Sequence, residues 1–322
     1  MKKVAKIIIE ECIQPSKTDN ILIVTDTIKK DLAKPIFEYC LKKNFNANLM
    51  IMLPTKADGQ EPSFIVSKAI SSANIVIAVT KWSISHTKAV VKAREKGAKI
   101  ISMPAVEEGM LKRCIPIDYA KMSKLTKCLA NLLTKAKKVY IISPAGTNLF
   151  LNIGGFEGNI WDGIAEEGKI INLPDGEANI GIKNADGILV IDGSIPPDQK
   201  SKWGIIGKIK NPIKLIVKDG KVVKIEGKKE AKILKKMLSE FDNSVYKLAE
   251  LGIGTNPKAK LTGNVTEDEK ILGTVHIALG DNTSFGGKNV SPLHLDGVIL
   301  KPNLKLDRHT ILEDGILEIG IK

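Results

Sequence analysis

Between Asn20 and Pro104 the chain alternates short apolar runs with amphipathic ones, and this rhythm limits the fold more than any other feature. "NILIVTD" (20–26), "NANLMIMLP" (46–54), "ANIVIAVT" (73–80) and "AKIISMP" (98–104) read as buried strands. Between them "KKDLAKPIFEYCLKKN" (29–44), "EPSFIVSKAISS" (61–72) and "HTKAVVKAREKG" (86–97) carry apolar residues at helical spacing, the last closed by Gly97. Strands separated by helices argue for an open, mainly parallel sheet with helices on both faces, because each helix can carry the chain back across the sheet. No G-x-G-x-x-G follows the first strand, so the local signature of dinucleotide binding is missing.

After a predicted helix over 118–136 the texture changes to glycine-rich segments and short alternating runs. "KKVYIIS" (137–143), "GILVIDGSI" (187–195), "IKLIVKDGKVVKIEG" (213–227) and "LDGVILKP" (295–302) predict strands, with Asp219-Gly220 turning a hairpin. "KKEAKILKKMLSEF" (228–241) is the one clear helix there. The expected fold is therefore α/β: residues 1–136 a parallel-sheet, doubly wound N-terminal domain, and residues 137–322 a β-rich α+β C-terminal domain. A chain of 322 residues is long enough for two separate cores.

Composition narrows the function classes. The net charge of +13 comes almost wholly from dispersed lysines, with Arg94, Arg113 and Arg308 the only arginines and aromatics at 4%. Forked contacts and stacking platforms are scarce, so a specific nucleic-acid partner is not expected. No apolar run reaches the roughly 20 residues of a membrane span, and the first residues lack an export signal. Cys12, Cys40, Cys114 and Cys128 show no metal-knuckle spacing and are expected to be reduced thiols. Together these features predict a cytoplasmic protein without a membrane partner.

Polar residues inside apolar segments of the second half mark the candidate chemistry. In "SPLHLDGVIL" (291–300), His294 and Asp296 stand two apart, on one face of a strand whose leucines point to the other. His276 lies in "TVHIALG", Glu177 in "NLPDGEANI", and Glu250 between Ala249 and Leu251. A carboxylate in such a setting must be paired, neutral or ligated. Each has a plainer reading alone: a turn residue, a hydrogen-bonded core histidine, an aspartate that fixes an imidazole tautomer. Jointly, imidazoles and carboxylates in this number suit a divalent metal. Glu267 and Glu269 in "TEDEK" are expected to face solvent.

"NLPDGEANI", "LAELGIGTNP", "HIALGDN" and "LHLDGVI" resemble successive blocks of the thermophilic metalloaminopeptidase family typified by aminopeptidase T and aminopeptidase S, and "SISHTKAVVKAREKGAKIISMP" (83–104) is similar to its Thr-His-Thr-x-Ala helix region. The resemblance implies a homodimeric metallo-aminopeptidase, a hydrolase acting on a peptide substrate. It implies two divalent ions (zinc, cobalt, manganese or magnesium) held by Glu177, Glu250, His276, His294 and Asp296. Glu250 or Asp296 would bridge them, and Glu177 would take a proton from the attacking water; Glu177 and Glu250 are thus the catalytic candidates. Asn282 and Thr283, in the polar loop 280–290, are the expected substrate contacts. Where the family has a tyrosine ligand, seven residues after its first site histidine, this chain has Thr283.

A second member of the same superfamily offers the alternative. 2,5-Dihydroxypyridine 5,6-dioxygenase resembles these peptidases but is an iron enzyme with two histidines and one aspartate. His276, His294 and Asp296 would satisfy that pattern on iron(II). Retention of Glu177 and Glu250 ranks the aminopeptidase first.

Overall fold

The structure, a computed structural model, describes residues 1–196 and 205–318. The chain divides into two compact units, Met1–Ser123 with Trp161–Asp175, and Lys124–Ile160 with Gly176–Lys322. The division falls inside the helix Tyr119–Lys135 rather than after it, and a later segment returns to the first unit.

The first unit carries a wholly parallel five-stranded sheet in the order Asn46–Met52, Asn20–Asp26, Ile75–Thr80, Lys99–Pro104, Ile170–Asn172. Its first four strands are those that the apolar runs predict. Ile75–Thr80 is buried along its whole length, as a parallel strand covered on both faces should be. Leu22, Val24, Val76, Ala78 and Ile100 pack there against Val66 and Ile70 of helix Phe64–Ile70 and Val90 and Ala93 of helix Lys88–Glu95. Thr87 caps that last helix by accepting from the Val90 N–H, and Gly97 ends it at φ +92°.

The second unit is built on two antiparallel sheets. The larger runs Lys221–Glu226, Ile213–Lys218, Asn184–Ile191, Asn148–Asn152, Lys138–Ile142, Asn303–Leu306, His309–Glu313, Ile316–Leu317. Asp219 and Gly220 both take positive φ, 51° and 74°, the pairing that a tight two-residue hairpin demands. The smaller sheet runs His294–Ile299, Val275–Gly280, Leu248–Gly254, Glu177–Gly181, Asn159–Trp161.

Period-two alternation gives the smaller sheet two unlike faces. Ala178, Ile180, Leu251, Ile253, Val275, Ile277, Leu279, Leu295 and Ile299 join one continuous apolar core with Leu149, Leu151, Leu189, Leu215 and Leu304 of the larger sheet. Burying a side chain of this size contributes about 1.5–3 kcal/mol, so a one-residue slip of any strand would expose its whole apolar set. The register is thereby fixed, and the opposite face is left for Glu177, Asn179, Glu250, Gly252, His276, Ala278, His294 and Asp296.

Candidate metal centre

On that face Gly181, Glu250, Ala278 and Asp296 form one cross-strand row, and Asn179, Gly252, His276 and Val298 the next. Small residues alternate with the functional ones, and this leaves the latter room to lean over their neighbours. The clearest case is Gly252: a Cβ there would lie 2.1 Å from Cε1 and Nε2 of His276, so the imidazole lies flat across the glycine. Glu250 shares the face of Gly252 by plain alternation, and a register irregularity just before it turns Leu248 to the core instead.

The five residues that the sequence singles out as ligands converge. His276 Nε2 lies 3.4 Å from Glu177 Oε1, 3.8 Å from Glu250 Oε1 and 4.0 Å from Asp296 Oδ1. His294 Nε2 lies 2.8 Å from Glu250 Oε2 and 3.5 Å from Asp296 Oδ1. His276, Glu177 and Glu250 are nearly inaccessible, whereas the His294 side chain is 30% exposed and forms the open side of the cluster.

Two further residues, unforeseen in the sequence, complete the cluster. Glu269 joins His276 and Asp296 in a third possible ligand group, and Lys270 pairs with Glu177 Oε2 and, at 2.8 Å, with Glu269 Oε1. The expectation that Glu267 and Glu269 face solvent is corrected here. Glu267 is fully buried and its Oε1 accepts from the Lys260 N–H; the Glu269 side chain is only 16% exposed. The reason is backbone: Gly254, which a Cβ would bring to 2.1 Å of the Ile271 carbonyl oxygen, lets this segment lie directly on the strand. Asp268 clasps the preceding turn by accepting from the N–H groups of Thr262 and Gly263.

Asn282 and Thr283 serve their own loop. Asn282 is buried beneath Gly287, and its Oδ1 accepts from the Asn289 N–H. Thr283 is exposed, and its hydroxyl donates to Asp281 Oδ1. The same loop presents the Asp281 carbonyl to His294 Nδ1 at 2.8 Å and stacks Phe285 on the imidazole, with centroids 5.3 Å apart.

This donor set fits a cation. With His294 Nδ1–H donating to a carbonyl, its Nε2 lone pair faces two carboxylates, an arrangement that needs positive charge between them. The electrostatics of the site make the same demand. Burial opposes a charged imidazole at His276, yet Glu177, Glu250 and Asp296 outweigh it and hold the group well above its ordinary value. At His294, burial is likewise outweighed, by Asp296 and Glu250. Burial would raise Glu177, but Lys270 and His276 hold it well below the carboxylate range, and His294 lowers Asp296 against the same penalty. Glu269 is pushed up to about 7, because burial prevails there over Lys270. A divalent ion replacing the imidazole protons would balance the carboxylates that face His276 and His294.

Comparison with known proteins agrees with the fold and redirects the chemistry. A family model described as NicX, 2,5-dihydroxypyridine 5,6-dioxygenase, matches residues 18–319. The curated 2,5-dihydroxypyridine 5,6-dioxygenase of Pseudomonas putida KT2440 is 25% identical over 262 residues, covering 77% of this chain and 72% of that protein. The solved structure of the dioxygenase from the same strain superposes with a TM-score of 0.82 at 19% identity, covering 99% of this chain and 97% of that one. Wild-type AmpT from Thermus thermophilus gives 0.74 at 15% identity, covering 99% and 98%. Both structures share the mixed α/β architecture. The expectation of a hydrolytic aminopeptidase is overturned by the family model and the curated relative, both of which name the dioxygenase. The two neighbours have like folds, and a ligand set alone does not choose between activating water and activating oxygen.

Proposed function

Because the chain belongs to the 2,5-dihydroxypyridine 5,6-dioxygenase family, we propose that it is an iron(II)-dependent dioxygenase that opens the ring of a dihydroxylated nitrogen heteroaromatic, with 2,5-dihydroxypyridine as the first substrate to test. The observation that carries the reading is the convergence of His276, His294 and Asp296 on one sheet face within the matched region. Two imidazoles and one carboxylate are the donor set of non-haem iron(II) oxygenases.

Iron(II) bound there supplies the one-electron chemistry by which dioxygen reacts with a closed-shell ring. The protein's own groups do the rest. The Asp281 carbonyl holds the His294 tautomer with Nε2 turned inward. Phe285, stacked on His294 at the open side, extends a flat aromatic wall suited to a planar ring. Glu250 places one oxygen toward each imidazole and is the carboxylate positioned to accept a proton from a ring hydroxyl.

The test is oxygen uptake by anaerobically prepared protein reconstituted with iron(II) and given 2,5-dihydroxypyridine. The expected result is one dioxygen consumed per ring opened, with loss of the substrate's aromatic absorbance. Protein that binds iron yet consumes no oxygen with this or a related dihydroxypyridine would refute the assignment.

A further inference from the structure

The cluster holds more ligands than an open coordination sphere can use. Glu177, Glu250, Glu269, His276, His294 and Asp296 offer donor atoms in overlapping groups, each within 4.8 Å. An ion bound by all of them would have no position left for dioxygen or substrate. Something must hold part of the set back.

Lys270 is placed to do so. Its side chain is only 4% exposed, and its ammonium pairs with one oxygen of Glu177 and, at 2.8 Å, one of Glu269. The remaining Glu177 oxygen accepts from Asn179 Nδ2 at 2.5 Å, and Asn179 is itself held by Asn159 Nδ2 at 2.9 Å. The lysine backbone is equally fixed: its carbonyl accepts from the Asn256 N–H at 2.8 Å, and the chain beyond it lies against Gly254. Because the ammonium is anchored on both sides, Glu177 cannot add its second oxygen to a bound cation, beside the Oε1 that already faces His276, without breaking a buried ion pair. Such a break is costly in a site this buried.

We propose that Lys270 is a positioning residue that withholds Glu269 and the second oxygen of Glu177 from the bound metal and so keeps its coordination sphere open. The value of openness rests on the dioxygenase reading; the withholding itself is a statement about metal binding. A fixed ammonium beside a dication also weakens the binding by direct repulsion. Removing Lys270 therefore frees Glu269 and the second Glu177 oxygen and lifts a like charge in one change.

The experiment titrates chelator-stripped protein with zinc(II) or manganese(II) and compares wild type with Lys270→Met and Lys270→Arg. The Lys270→Met protein is expected to bind about tenfold or more tightly, the direction set by losing a like charge at short range. Its oxygen uptake with iron(II) should fall, and Lys270→Arg should return the affinity toward wild type. A merely supportive Lys270 predicts the opposite sign, so unchanged or weaker binding by folded Lys270→Met overturns the proposal. If that variant does not fold, Glu269→Gln decides: a withheld carboxylate can be neutralised without loss of zinc(II) affinity, whereas a loss of about tenfold or more makes Glu269 a ligand and rejects the idea. Failure of the dioxygenase reading registers separately, as wild-type protein that takes up no oxygen; the titration decides the role of Lys270 in either case.

Discussion

Gly252 and His276 are opposed across two antiparallel strands, and the imidazole of one occupies the space that a side chain on the other would fill. A Gly252→Ala protein must lift the ring off the sheet, since the added carbon would sit 2.1 Å from Nε2. Overpacking of this kind costs about 1–3 kcal/mol. The displaced Nε2 should also lower metal affinity about tenfold or more. Thermal denaturation and a zinc(II) titration of the same preparation check both effects; wild-type affinity would mean that the ring does not act through this position.

Metal-free protein should be most stable at mildly acidic pH. The folded state raises His276 and His294 above their unfolded values and pushes Glu269 up to about 7. Their stabilisation is fully present below the unfolded values and is lost as pH rises through the folded ones. Glu177 and Asp296 are depressed, so their contribution is present above ordinary carboxylate values and lost as pH falls through the folded ones. The optimum then lies roughly between pH 4 and 6.5. Denaturation midpoints of chelated protein across pH test this; a midpoint that climbs steadily from pH 6 to 9 contradicts it.

Metal binding should move the other way with pH, because protons on His276 Nε2 and His294 Nε2 compete with the ion. Saturation at about 100 times the dissociation constant adds about 2.7 kcal/mol to stability. Asp296→Asn should remove most of that gain by taking away one of the two carboxylates, with Glu250, that face both imidazoles. The measurement is the rise in melting temperature on adding iron(II) anaerobically or zinc(II) in air. An undiminished rise in the variant would exclude Asp296 as a ligand.

Patterns of period two and βαβ alternation were legible because they are local. Four parallel strands, the Asp219-Gly220 hairpin and the shared face of His294 and Asp296 all follow from spacing along one segment. The fifth parallel strand, Ile170–Asn172, was not legible, because its partner Lys99–Pro104 lies far away in sequence and its own length gives no period. Glu269 and Lys270 stayed hidden for a related reason. "TEDEK" has the composition of a solvated turn, and only the bare backbone at Gly254 lets it lie against the sheet. Two glutamates beside a two-histidine, one-aspartate set also read naturally as ligands for a second metal. Nothing in their spacing announces that a lysine neutralises one of them.

Thr283 separates the loop's supporting role from direct ligation. Its hydroxyl and N–H both donate to Asp281 Oδ1, while Asp281 Oδ2 accepts from the Ser291 N–H and the Asp281 carbonyl faces His294. Asp281 thus clasps the loop that holds the imidazole, and Thr283 is one of the groups it clasps. Replacing Thr283 by alanine removes one hydrogen bond, about 0.5–1.5 kcal/mol, and should leave metal affinity near wild type. Asp281→Ala loses the whole side-chain clasp and should cost more stability together with about tenfold in metal affinity, because the loop that holds its backbone carbonyl against His294 is loosened. Asp281→Asn, whose amide oxygen can still accept from the loop, should recover most of both. Zinc(II) titrations of the three variants order them; an affinity loss at Thr283→Ala as large as that at His294→Ala would instead make the hydroxyl a ligand.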